Sequence, residues 1–269
     1  MTLGFVESDG CRLRYEVTGA GETTLLLVHG ASAHRLWWHR MAPALAQHFR
    51  VITMDLSGHG DSGYRAAYGP RVYAEDINAV AEQVGQGPVT LVAHSMGGRC
   101  AVVAAARHPG NFSRLVILDA GFPADRIRAE RPRAARIRST YPDLASIRAG
   151  FRLMPRQPAP APDVLDPVFD YAVRRTESGW TWKFDPGTLW RYDDELVDAC
   201  LARVRCPITY AYGTRSLLPV VQSAERILAL YPDATIRPIE GARHHVPLDA
   251  PEQCVAIVTE SCAEGARAR

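Results

Sequence analysis

Leu91-Val-Ala-His-Ser-Met-Gly-Gly-Arg99 decides how this 269-residue chain folds. An apolar, strand-like run (Val89, Leu91, Val92) stops at Ala93-His94-Ser95-Met96-Gly97. A helix-like run rich in Ala and Val, from Arg99 to Arg107, begins at once. Small residues two before and two after a serine let the chain turn sharply from strand into helix. Such a turn lifts the hydroxyl clear of the backbone and aims the helix N-terminus at whatever the serine attacks. The competing reading is an ordinary loop that happens to contain serine; the motifs further out weigh against it.

Upstream, Thr24-Leu-Leu-Leu-Val-His-Gly-Ala31 reads as a buried strand ending in His29-Gly30. Glycine there permits a tight bend that presents an amide towards Ser95. Acyl transfer needs two such donors where negative oxygen develops, and losing one typically costs about 3 kcal/mol of barrier. The candidate oxyanion donors are the backbone amides of Ala31 and Met96, the latter directly after Ser95. His29 is read as a buttress of its loop rather than a base.

Asp55-Leu-Ser-Gly-His-Gly-Asp-Ser62 follows the next strand-like run. Together with His29-Gly30 and the turn at Ser95, it closely resembles the α/β-hydrolase superfamily, in its capped serine esterase-like branch. The Ser95 turn is similar to that family's nucleophile elbow, with Ala93 where the usual motif has its first glycine. The resemblance covers nearly the whole chain. It implies that the Gly-His-Gly-Asp-Ser loop is structural, so His59 and Asp61 are given no chemistry.

The resemblance also places the base after the last strand. Gly241-Ala-Arg-His-His-Val-Pro-Leu-Asp-Ala-Pro251 occupies that place, and the alignment puts His244, seven residues before Pro251, at the catalytic histidine. Arg243 stands where a small glycine is usual, and His245 is the neighbouring competitor. A His-His pair suggests metal, but no further ligand cluster is visible in the sequence, so no metal is expected.

The third member departs from the family pattern. Where the family has Gly-x-x-Asp, this chain has Gly213-Thr-Arg-Ser216, and a serine cannot stabilise an imidazolium or fix its tautomer. Some relatives carry the acid after the sixth strand, which here ends in Asp119, twenty-four residues beyond Ser95. Asp119 is the preferred acid; Asp193, Asp194 or no functional acid are the alternatives. The expected order is Ser95, Asp119, His244.

Strand-like runs alternate with amphipathic ones, which argues for an α/β fold: a mostly parallel eight-stranded sheet with helices on both faces. The expected helices span 34–48, 72–84, 96–107, 220–230 and 252–261. Residues 122–200 break the alternation. They are read as a helical cap inserted after the sixth strand, with residues 1–121 and 201–269 as the core domain. From Phe122 to Arg156 the chain holds nine arginines against three acids. A solvated face is the plainer reading and an anion-binding lid the sharper one. Gly179-Trp-Thr-Trp-Lys-Phe-Asp185 alternates aromatic and polar residues, as in a strand packing the cap on itself or walling a substrate.

Composition is permissive. The chain is 47% hydrophobic with a net charge of +2, which argues for neither a nucleic-acid nor a membrane partner. No secretory signal, bilayer-length apolar run or disulfide-type cysteine spacing is visible, so a cytoplasmic location is expected; the family resemblance implies a monomer or homodimer. The expected partner is a small molecule: a small or medium hydrophobic ester, thioester or lactone, with Trp37 and Trp38 as substrate-binding candidates. Carbon–carbon bond hydrolase and perhydrolase chemistry on the same triad remain open, as does a non-catalytic receptor of this fold. No cofactor is implied, because no Gly-x-Gly-x-x-Gly follows the first parallel strand.

Overall fold

A hairpin opens the fold: β1 (Thr2–Ser8) pairs antiparallel with β2 (Cys11–Thr18). The computed structural model describes residues 1–122, 140–188 and 193–267. After the hairpin come β3 (Thr24–Val28), a 3-10 turn (Arg35–Trp38), α1 (Ala42–Leu45), β4 (Arg50–Met54) and α2 (Pro70–Val84). Then follow β5 (Val89–His94), α3 (Met96–Arg107) and β6 (Phe112–Leu118). The eight-stranded sheet has the order β1-β2-β4-β3-β5-β6-β9-β10, where β9 is Ile208–Gly213 and β10 is Thr235–Ile239. Only β2 runs against its neighbours; the other pairs are parallel.

Parallel strands covered on both faces read as continuous apolar runs, and β3 and β5 are buried at every position. Alternation along the strand divides them between two core layers. Leu26, Val28, Leu91, Ala93, Leu115 and Ile117 join the layer that includes α2 and α3. Leu25, Leu27, Val92, Val116 and Leu118 join the other, beside Trp38, Met41 and Leu45. The chain leaves β3 for β4 on one side, while β5 lies on the other. Val28 and Ala93 are therefore register partners at a switch point, where a crevice opens at the strand ends.

The expected single helix over 34–48 is instead a 3-10 turn and a short α1, separated because Pro43 at the head of α1 can only begin a helix. After β6 come α4 (Leu144–Gly150), α5 (Pro162–Ala172), β7 (Val173–Thr176) and β8 (Gly179–Trp182). This inserted segment is thus mixed, not purely helical: β7 and β8 form a second, two-stranded antiparallel sheet. Its aromatic alternation packs inward, with Phe151, Phe169 and Trp182 in mutual ring contact. Six of the nine arginines between Phe122 and Arg156 (Arg126, Arg128, Arg131, Arg133, Arg136, Arg138) lie outside the described residues. The chain then runs through α6 (Asp194–Leu201), α7 (Val220–Leu230), α8 (Val246–Asp249) and α9 (Pro251–Arg267). Among the described residues, no helix is long and apolar enough to cross a membrane.

Candidate active site

Ser95 sits between β5 and α3 with φ 53° and ψ −122°. That left-handed conformation costs a non-glycine residue on the order of 1–3 kcal/mol and persists only where its surroundings enforce it. The enforcement is local. The Ser95 N–H donates to the Leu118 carbonyl at 3.0 Å, and the Ser95 carbonyl accepts from Gly98 at 3.0 Å. Two close approaches need glycine. A Cβ on Gly30 would lie 3.0 Å from the Ser95 Cβ, and one on Gly97 would strike the carbonyls of Val28 and His29. The ends of β3 and β5 can therefore meet at backbone distance. Ala31 follows that approach directly, and Met96 is the first residue of α3, where the amide has no intrahelical acceptor.

Asp119 lies just past β6, fully buried and also at positive φ (45°). Its Oδ1 accepts from His244 Nδ1 at 2.7 Å and from the Ser216 hydroxyl at 2.8 Å, while Oδ2 accepts from the Gly213 N–H at 2.7 Å. Ser216, which stands where the family's acid is expected, thus hydrogen-bonds to the carboxylate supplied by the neighbouring strand. A proton held on His244 Nδ1 by the carboxylate leaves Nε2 as the basic nitrogen. Asp193 and Asp194 are used elsewhere: Asp193 caps α6 by accepting from Leu196 N–H, and Asp194 pairs with Arg99.

His94, the residue before the elbow serine, ties the two halves of the site together. Its Nε2–H donates to the His244 carbonyl at 2.8 Å, and the two rings lie 4.9 Å apart. Burial, then the neighbouring His244, pushes His94 down to about 3. His245 packs against Trp37, ring centres 5.0 Å apart, and burial with flanking His244 and His94 pushes it down to about 2. The Pro155 backbone, hydrogen-bonding to the ring, acts in the opposite sense. One ring nitrogen each from His94, His244 and His245 lie within 4.8 Å of one another. The His-His pair thus has a third imidazole beside it, supplied by the elbow 150 residues away in the chain.

Trp37 and Trp38 part company. Trp37 joins Ala33, Leu153, Val168 and Leu248 in an apolar cluster between the inserted segment and the core. Trp38 is fully buried in the layer under the sheet with Met41 and Leu45, so it is core and not a substrate wall. Adjacent residues on one tight turn point to opposite sides, and the sequence alone cannot say which side is which.

His29 and His59 are both structural. His29 Nδ1–H donates to the Gly30 carbonyl while Nε2 accepts from the Leu56 N–H. His59 donates to Ser57 and accepts from the Ser32 N–H, and burial pushes it down to about 4. Asp61 pairs with Lys183 and lies 2.9 Å from the Tyr171 hydroxyl.

The model of the alpha/beta hydrolase fold matches residues 23–146. Lipase LipV of Mycobacterium tuberculosis is 28% identical over 243 residues, covering 89% of this chain and 81% of that protein. The 2-hydroxy-6-oxononadienedioate/2-hydroxy-6-oxononatrienedioate hydrolase of Burkholderia vietnamiensis is 36% identical over 127 residues, covering 43% of each. The crystal structure of E-2-(acetamidomethylene)succinate hydrolase superposes with a TM-score of 0.85 at 22% identity, covering 97% of this chain and 99% of that one. The sheet order and the sharp strand-to-helix turn are those of the α/β-hydrolase fold, and the proteins the chain is similar to are hydrolases.

Proposed function

We propose that this protein is a serine hydrolase that cleaves a small or medium hydrophobic ester, thioester or lactone through an acyl-enzyme. The observation that carries the reading is the buried 2.7 Å contact between His244 Nδ1 and Asp119, at the strand ends beside the Ser95 elbow. Ser95 Oγ attacks the acyl carbonyl while His244 Nε2 takes its proton. The amides of Ala31 and Met96 hold the oxyanion. His244 then returns the proton to the departing alcohol or thiol, activates a water, and the acid product leaves. The apolar cluster of Trp37, Leu153, Val168 and Leu248 supports a hydrophobic acyl or alcohol group. The inserted segment acts as a cap over this crevice. Six free cysteines fit a reducing, cytoplasmic setting.

Turnover of a p-nitrophenyl acyl series tests the reading. Ser95→Ala should lose activity by several orders of magnitude, and a fluorophosphonate should label wild type but not the variant. Equal turnover by both, or no labelling of wild type, would overturn it. The Burkholderia relative supports a second reading, carbon–carbon bond hydrolysis on the same triad. Turnover of a 2-hydroxy-6-oxo-dienoate without esterase activity would favour it.

A further inference from the structure

The proposed hydrolysis uses one imidazole, yet three meet at the site. We infer that His94, His244 and His245 form a reversible inhibitory site for a divalent ion of the zinc class. The inhibitory part rests on the serine-hydrolase reading; the metal site itself does not.

The case begins with the nitrogens. One ring nitrogen of each histidine already lies within 4.8 Å of the others. Zn–N bonds of about 2.0–2.1 Å in tetrahedral geometry place ligand nitrogens roughly 3.4 Å apart, so modest rotation of the rings closes the set. Two of the three histidines carry the outer hydrogen bonds that metal-ligating histidines characteristically make. Asp119 holds the proton of His244 on Nδ1 and leaves the Nε2 lone pair free. The carbonyl of His244 likewise holds the proton of His94 on Nε2 and leaves Nδ1 free. The third, His245, is buried, and the Pro155 backbone is the polar partner of its ring. A carbonyl can hold a proton on one ring nitrogen only, so the other keeps its lone pair.

Charge agrees with this. Asp119 supplies a buried negative charge behind His244. Coordination occupies His244 Nε2, the lone pair that would take the Ser95 proton. The bound ion therefore stops acyl transfer, and a chelator that removes it restores the free base.

The test uses the full chain, freed of metal. Cobalt is titrated first without substrate, then zinc is titrated during p-nitrophenyl acetate turnover. Wild type should bind one Co2+ per chain with the visible bands of a low-coordinate ion, and zinc inhibition should reverse with EDTA. In His245→Phe, which keeps a ring but no ligand, the bands should vanish. Half-inhibition, read against the variant's own metal-free rate, should need about 10- to 100-fold more zinc. His245→Asn carries the same test if the phenylalanine variant fails to fold. Absence of the bands in wild type overturns the site. So does an unchanged response in the variant, which would place the ion on an exposed histidine such as His48. Failure of the hydrolase reading is separate: it appears as no turnover in the metal-free enzyme, whatever the cobalt spectrum.

Discussion

Asp119 spends both carboxylate oxygens on three donors: His244, Ser216 and the Gly213 N–H. The two donors from the end of β9 hold the carboxylate so that the histidine meets it in one orientation. Asp119→Asn preserves the shape but presents an amide that cannot stabilise an imidazolium. It should lower kcat by about 10³- to 10⁴-fold in steady-state assays, with far-UV circular dichroism unchanged. Ser216→Ala removes one charge-assisted bond of three, and its kcat should fall by only about tenfold. An equal loss in the two variants would mean that Ser216 carries more of the relay than its single contact suggests.

At the scale of elements, the inserted segment is stapled to the ends of the central strands. The Tyr171 hydroxyl of α5 lies 2.8 Å from Asp55 Oδ2 and 2.9 Å from Asp61 Oδ2, and His34 Nε2–H donates to the Val168 carbonyl at 2.9 Å. Asp55 is fully buried, which raises its carboxyl above the usual range despite donors from the Arg35 and Asp61 amides and from Tyr171. Tyr171→Phe removes one of those donors and should destabilise the protein by about 1.5–3 kcal/mol in urea unfolding, with m unchanged. An unaltered midpoint would show that the staple carries no stability. What the sequence could show follows the same division between local and distant. The elbow, the buried strands and the helices over 96–107 and 220–230 are written in neighbouring residues, whose pattern alone fixes strand, turn or helix. Contacts that join the ends of distant elements leave no such local trace. Ser216 meets Asp119 across 97 residues and His94 meets His244 across 150, so neither the hydroxyl partner nor the third imidazole could be read from spacing. Trp38 misleads for the opposite reason: its pattern is clear, but a pattern does not say which face is wet.

Across the whole molecule, buried neutral histidines set the response to acid. His29 is held well below its ordinary value of 6.5, His34 and His94 are pushed to about 3, His59 to about 4 and His245 to about 2, in each case chiefly by burial. Their folded values lie below the unfolded one, so the unfolded chain binds more protons once pH drops below about 6.5. The stability they contribute is complete above that pH and declines steadily beneath it, each group approaching about 1.4 kcal/mol per pH unit. Asp55, with a raised folded value, works in the opposite sense, but only nearer the carboxylate range. The Tm should therefore fall between pH 7 and pH 5, before most carboxylates titrate. A calorimetric Tm that stays level over that interval would contradict the account.

The bond from Ser216 to Asp119 also bears on how such a site changes over time. Because β6 and β9 are neighbours, the two side chains stand 2.8 Å apart although nearly a hundred residues separate them. A carboxylate on either strand end would serve the same small volume of space. The proposed acid could therefore change its place along the gene without changing its place beside the histidine. On that proposal, the serine at 216 marks a carboxylate relocated to Asp119 and not one lost.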